Sequence, residues 1–331
     1  MKKGIARKEA RELMDVKGHE LDELLRRAGE VRRRHYGREV RLCAIINAKS
    51  GRCKERCSFC SQSKHFDTDA PVYPLKTPDE ILDAALRAEK DGAGEFSIVT
   101  SGRSVRSKKE LACLEKSIRM IAGRTGMKRC ASMGEIPADI LAMLKQAGLQ
   151  CYHHNVETAP SFHPEIVSTH SFDDEVRMVE SARDAGLVTC CGGIFGMGES
   201  PAQRVELIFA VRDVDPDYVP LNFLNPVRGT PLEGRRDLAP VDCLKIIAIT
   251  RLAMPDKHIT VCGGREVNLG DRQKEMFDAG ASGTMVGDYL TTNGQAPLED
   301  RKMIEEAGYE IAKVAPSAQR KKPDAGSREP E

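Results

Sequence analysis

The chain has 331 residues, with 51 Lys and Arg against 50 Asp and Glu, a formal net charge of +1. That balance removes any general pull toward nucleic acid or anionic lipid, and no apolar run reaches the ~18 residues of a membrane span. Neither partner is expected; the start, basic but without an apolar core, is not a secretory signal, and the expected compartment is the cytoplasm.

Residues 1–40 read as a helical extension. "HELDELLRRAGEVRRRHYG" carries Leu21, Leu24, Leu25, Ala28 and Val31 at helical spacing, with Gly37 as its stop. Its Arg-rich face is expected to be solvated. Eight strand candidates follow, at 42–48, 95–102, 128–134, 149–158, 187–198, 218–226, 258–266 and 282–290. Helical stretches separate them. "TPDEILDAALRAEKDG" has Thr77 as its cap and Pro78 at its first position. Eight strands alternating with helices predict an α/β chain whose parallel sheet closes as a (β/α)8 TIM-type barrel over 41–312. An open doubly wound sheet is the alternative, but no G-x-G-x-x-G follows the first strand. The polar, Pro-containing tail at 313–331 is expected to be disordered.

The unusual side chains fall where such a barrel exposes them, in the loops after the strand C-termini. After the first strand, "RCKERCSFC" sets Cys53, Cys57 and Cys60 in one loop. The chain has eleven cysteines, and disulfides are rare in a reducing compartment, so buried thiols or metal ligation must account for them. A closed zinc site wants four ligands. The bland reading is therefore a zinc loop completed from elsewhere, with His65 the nearest candidate. The sharper reading is a 4Fe-4S cube with one iron left open. An aromatic residue, Phe59, directly before the third cysteine favours the cube.

C-x3-C-x2-C with that aromatic resembles the radical S-adenosylmethionine (SAM) enzymes. The longer string "INAKSGRCKERCSFCSQSKHF", with "YHHNVETAPSF", "CGGIFGMGES", "NFLNPVRGTPLEG" and "GDYLTT", is similar to the biotin synthase family over about 40 to 295. The resemblance implies that Cys53, Cys57 and Cys60 hold a 4Fe-4S cluster whose open iron chelates SAM. The bound cofactor then generates a 5′-deoxyadenosyl radical and sulfur enters dethiobiotin, with no general base named. It implies that Phe59, Asn155, Glu157, Gly192, Gly193 and Gly196 surround SAM, Glu157 on the ribose hydroxyls and the glycines letting backbone come close. It places Asn155 and Asn222 on the ureido ring of dethiobiotin, and Thr291 and Thr292 at its carboxylate. Asn155 and Glu157 are expected on one face of the fourth strand, beside Cys151 and His153. It further implies a flavodoxin or ferredoxin reductant and a homodimer. The family often has Arg near the SAM carboxylate where this chain has Glu175.

The resemblance also implies a second, auxiliary iron–sulfur cluster inside the barrel, usually 2Fe-2S on three cysteines and one arginine. Here Ser97 and Thr260 stand at two of those positions, while Cys130 and Cys190 keep the other two. Cys262 lies two residues beyond Thr260, on the same strand face. The expected ligands are therefore Cys130, Cys190 and Cys262, holding an auxiliary 4Fe-4S cluster, with Cys191 pointing outward by parity. Cys43, Cys113, Cys151 and Cys243 are expected to serve packing. Another radical SAM barrel enzyme, related to the hydrogenase maturase or methylornithine synthase, is the alternative function.

Overall fold

The structure, a computed structural model, describes residues 4–313; all but the first residue of the expected disordered tail lies outside the described residues. Among the described residues there are ten strands: β1 Glu39–Lys49, β2 Glu95–Thr100, β3 Lys128–Ser132, β4 Cys151–His153, β5 Val188–Cys190, β6 Gly193–Phe195, β7 Tyr218–Phe223, β8 His258–Val261, β9 Gly283–Met285 and β10 Glu310–Ile311. Each pairs in parallel with its neighbour, and β1 pairs with both β2 and β9, so the sheet closes on itself. β5 and β6 are two pieces of one barrel position, both laid against β7. The barrel therefore has eight strand positions. β10 extends the sheet beyond it, joining the start of β1.

Local signals explain the helices. Residues 78–90 start at Thr77, whose hydroxyl accepts from the Glu80 amide while the Glu80 carboxylate accepts from the Thr77 amide. Ser171 and Ser200 open their helices with the same reciprocal box. The outer core lies between these helices and the strands, in side chains such as Ile81, Leu114, Leu141, Leu207 and Ile247. A helix at His19–Tyr36 packs on the helix at Pro240–Ala253. Its buried residues include Leu24 and Ala28, as the spacing predicts, but also Arg32. The expectation of a solvated arginine face is thus corrected at Arg32. Its guanidinium donates to the carbonyls of Ala281, Gly37 and Glu39, collecting orphan acceptors at the lower rim of the barrel.

Two strands are shorter than their apolar runs. The stretch 149–158 is extended only at Cys151–His153, and 187–198 is interrupted between Cys190 and Gly193. Beyond His153 the parallel pairing thins but continues: the His154 and Val156 amides donate to the Cys190 and Gly192 carbonyls, and only at Glu157, φ +61°, does the backbone turn left-handed. The expectation that Asn155 and Glu157 share one face holds: both line the cavity with His153, while Val156 between them is buried in the outer core. The glycines explain the interruption after Cys190. A Cβ on Gly192 would lie 1.8 Å from the Pro220 carbonyl oxygen, so only glycine lets this turn press against β7.

Interiors of this fold are ordinarily filled by layers of branched aliphatic side chains. Here the inward positions carry Cys43, Glu95, Ser97, Cys130, Cys190 and Thr260, and a cavity of about 460 Å³ runs among them. Beneath it, Glu95 accepts from Arg41, Lys128 lies 3.6 Å from the same carboxylate, and both cations donate to the Tyr218 hydroxyl. This charged floor replaces the usual apolar bottom layer.

Past β8, Arg265 donates to Asp300 at 2.7 Å, their side chains 1% and 0% exposed. The pair fastens the helix at Pro297–Glu306 beneath the last loops of the barrel. Asp300→Ala leaves that buried guanidinium with only Thr284 and Glu266 as partners and is expected to lower unfolding stability by about 3–5 kcal/mol. Asp300→Asn, which keeps an acceptor, should lose less. Anaerobic chemical denaturation of the two variants checks the order.

Candidate functional site

The cavity opens at the C-terminal ends of the strands, where the cysteine loop folds over it. Cys53, Cys57 and Cys60 all line it, together with Phe59. Backbone bonds hold the loop: the Cys53 amide donates to the Gln62 carbonyl at 3.0 Å, and Cys53's own carbonyl accepts from Lys64 at 2.8 Å. The Gln62 side-chain oxygen accepts from Ser50 Oγ and the Gly51 amide, and Ser61 Oγ meets Thr291 Oγ1 at 2.8 Å. Arg52, just before the first thiol, sits at φ +55°, a left-handed conformation costing about 1–3 kcal/mol. The loop is thus built around a required bend. Burial pushes the Cys57 thiol up, with the Glu157 charge adding, and burial holds Cys60 at about 11. A metal must displace protons to bind here.

The donor set suits a cluster better than a single ion. Four thiolates on one zinc stand roughly 3.8 Å apart, given Zn–S bonds near 2.3 Å. Among the described residues, the groups of three ligand atoms within 4.8 Å of one another are Cys130–Cys151–His153 and His163–His170–Glu175. The mouth triplet is not among them: its three thiols are not gathered as closely as the ligands of one zinc ion. His65, the candidate fourth zinc ligand, points away and meets the Lys54 carbonyl.

Asn155, Glu157, Asn222, Thr291 and Thr292 line the same cavity. Asn222 Oδ1 accepts from the Gly263 amide at 3.0 Å and its Nδ2 donates to the Gly193 carbonyl at 3.3 Å. Asn155 Oδ1 accepts from the Gly192 amide at 3.2 Å. Both amides therefore stand on the wall with backbone partners that fix their orientation. Gly192, Gly193 and Gly196 do not line the cavity. Their missing Cβ atoms make room instead for Pro220, Glu157 and Leu238 of the protein itself. That corrects the expectation that they are bare so that a ligand can approach.

Sequence reasoning missed a network at the mouth. Buried Glu175 accepts from His154 Nε2 and, at 2.6 Å, from His170 Nε2, while His170 Nδ1 lies 2.8 Å from Glu55 of the cysteine loop. Against a burial penalty, these bonds hold Glu175 down to about 2. Burial alone would lower His170, but its bonds to Glu175 and then Glu55 raise it to about 9. Burial, with the Glu175 charge adding, pushes Glu157 up to about 8. Glu175 is thus occupied by imidazoles, and Arg177 faces outward onto Asp174. The two-residue separation of Glu55 and Cys53 was visible in sequence; the histidine joining Glu55 to Glu175 was not.

Deeper in, Cys130, Cys190 and Cys262 reach the cavity from β3, β5 and the end of β8. Cys191 packs into the outer core, and Cys190 packs with Cys130 and Cys151. Cys43, expected to serve packing, instead lines the cavity, where the neighbouring Cys262 thiol and burial push its own thiol up. Cys151, also expected to serve packing, lies within 4.8 Å of the Cys130 and His153 ligand atoms. All eleven cysteines are free.

Comparison with known proteins identifies the class first. Residues 48–211 match the Radical SAM superfamily, and residues 220–310 the Biotin and Thiamin Synthesis associated domain. The barrel superposes on a methylornithine synthase with a TM-score of 0.82 at 21% identity, covering 95% of this chain and 96% of that one. On the FeFe-hydrogenase maturase of Carboxydothermus hydrogenoformans it gives 0.79 at 18% identity, covering 96% and 78%. At those identities the likeness is one of fold. This is a radical SAM enzyme, built for a 4Fe-4S cluster and SAM.

Sequence relatives narrow it. The chain is 49% identical to the biotin synthase of Citrifermentans bemidjiense over 94% of each chain. It is 46% identical to that of Geotalea daltonii over 92% of each, and 51% to that of an Anaeromyxobacter species over 89% of this chain and 80% of the relative. The chain belongs to the biotin synthase family.

The mouth network has a pH signature. His170 is raised, so its contribution is complete below its ordinary 6.5 and fades as pH rises through about 9. Glu175 is lowered, so its contribution is complete above its ordinary 4.5 and fades as pH falls through about 2. The stability difference between wild type and His170→Gln should be largest from pH 4.5 to 6.5 and shrink toward pH 9. Thermal unfolding of both proteins across that range checks it.

Proposed function

We propose that this enzyme stores the sulfur it inserts into dethiobiotin in the barrel interior, on an auxiliary 4Fe-4S cluster held by Cys130, Cys190 and Cys262. One observation carries the reading: thiols from three strands line the cavity whose mouth holds the Cys53, Cys57 and Cys60 loop. The donor chemistry fits. The inward wall offers sulfur where this fold ordinarily has aliphatic carbon, and the cations Arg41 and Lys128 lie beneath it around a single carboxylate, Glu95. That surplus of positive charge suits a cluster of net negative charge.

When bound, the mouth cluster and SAM supply one-electron reduction and hydrogen abstraction. The chain supplies position. Cys53, Cys57 and Cys60 hold the mouth cluster. Phe59 and Asn155 border SAM, and Glu157 takes the ribose hydroxyls from its left-handed turn. Gly192 and Gly193 stand behind these side chains, the first donating its amide to Asn155 Oδ1 and the second lying against the Glu157 carbonyl. Asn155 and Asn222, oriented by their own backbone partners, face the ureido ring, because an amide both donates and accepts. Thr291 and Thr292 meet the substrate carboxylate. A substrate between mouth and interior lies against SAM on one side and the sulfur store on the other, and the enclosing wall keeps water from a reactive carbon. A flavodoxin or ferredoxin reductant, a homodimeric assembly, the cytoplasm, and division into an extension at 1–40 and a barrel at 41–312 complete the reading.

An anaerobic assay with dethiobiotin, SAM and a reductant should yield biotin and 5′-deoxyadenosine together. Cys262→Ala should keep SAM cleavage, lose biotin, and bind about four fewer irons per chain. A 2Fe-2S Mössbauer signature in the wild-type interior, or an unchanged second cluster in Cys262→Ala, would contradict the assignment. Glu157→Ala should weaken SAM binding by roughly 2–10-fold, the value of a neutral hydrogen bond, without changing iron content; equilibrium dialysis under nitrogen at neutral pH measures it.

A further inference from the structure

We propose that the outer side of the cysteine loop is a docking surface for an acidic one-electron carrier protein. The inference rests on the reading of Cys53, Cys57 and Cys60 as ligands of the mouth cluster and is independent of the interior one. Residues of the loop alternate. Cys53, Glu55 and Cys57 line the cavity, whereas Arg52, Lys54 and Arg56 between them are exposed. A single backbone segment therefore separates the thiols from solvent here, while strands backed by helices wall the rest of the barrel. Electron transfer slows steeply with distance, so a donor seated on this loop has a short path to the site.

The charge on that face has no internal use. Arg52, Lys54, Arg56 and Lys64 make no side-chain ion pair among the described residues, in a chain whose cations and anions almost balance. Surface cations elsewhere pair with their helix neighbours, as Arg26 does with Glu23 and Arg119 with Glu115. The loop's own carboxylate, Glu55, turns inward onto His170 at 2.8 Å. Exposed Lys64 is fixed beside the first thiol, its amide donating to the Cys53 carbonyl at 2.8 Å. Thr169 joins a fifth cation to the group. Its hydroxyl accepts from the Arg56 amide and its carbonyl from exposed Arg103, which also meets Glu135 at 3.1 Å. The exposed carboxylates Asp67 and Asp69 stand past the loop, where the Asp67 carbonyl closes on Gly229. These cations form an outward face and no pocket, so they suit the acidic face of a protein better than a small anion. Such a face raises the encounter rate of an oppositely charged partner by about 10–10³-fold at low salt. The carrier gives up one electron and the mouth site gains it; no bond is made or broken.

The test uses the full-length enzyme reconstituted anaerobically, with an acidic flavodoxin as the probe. Titration calorimetry under nitrogen gives its affinity at low and at physiological salt. Wild-type affinity should fall as salt rises. Lys54→Glu combined with Lys64→Glu should weaken it by about tenfold at low salt and flatten the salt dependence. Lys17→Glu with Arg34→Glu makes the same change in net charge at exposed positions of the N-terminal extension and should leave the affinity near wild type. Reduced methyl viologen, a small cation, should drive SAM cleavage in the Lys54 and Lys64 variant at least as well as in wild type. If that variant does not take up its cluster, the wild-type salt dependence and Lys64→Glu alone decide. Binding that is absent, insensitive to salt, untouched by the loop reversals or weakened equally by the control pair overturns the docking surface and leaves the enzyme reading standing. Failure of viologen to drive SAM cleavage in wild type overturns the mouth-cluster reading itself.

Discussion

Side chains of a parallel barrel strand alternate between the interior and the helical layer, and the function depends on what this chain places on the inner side. Thiols and small polar groups stand at Cys43, Ser97, Cys130, Cys190 and Thr260, where most barrels of this kind pack Val, Ile and Leu. The interior therefore does not fill. Stability comes from the outer face, where Ile98, Ala131, Tyr152 and Val219 meet the helices and are at most 1% exposed. The same alternation separates Cys190 from Cys191, sending one thiol to the cavity and its neighbour to the core.

Charge is organised in two layers around that hollow. At the floor, Arg41 and Lys128 share Glu95 and Tyr218, putting surplus positive charge beneath the thiols. At the mouth, Glu55 and Glu175 share His170 and Glu175 also accepts from His154, while the Glu175 charge still acts on buried Glu157. His170 is the joint between the cysteine loop and the helix at Phe172–Asp184 that carries Glu175. The loop is thus held by electrostatics as well as by its own backbone bonds. A cationic sulfonium ligand is the kind of guest such an acidic rim accommodates.

Much of this was legible in the chain because local rules produce it. The eight-strand rhythm, the caps at Thr77 and Ser171, and the triplet after the first strand all depend on residues near one another in sequence. Strand parity, which is equally local, separated Cys190 from Cys191 and brought in Cys262. Parity carried past the regular strand: Asn155 and Glu157 reach the cavity as His153 does, and the backbone turns left-handed only at Glu157. Burial of Arg32 escaped notice because its acceptors lie on Ala281 and at the foot of β1.

The sequence by itself determined the barrel, the enzyme family and the sulfur-bearing positions on the strands, since each follows from a short motif or a fixed period. Only the tertiary structure decided which donors meet. Cys43 beside Cys262, His153 beside Cys130, and His170 on Glu55 meet across tens to hundreds of positions. Ring closure and shear set those encounters, and neither is written in any local stretch of chain.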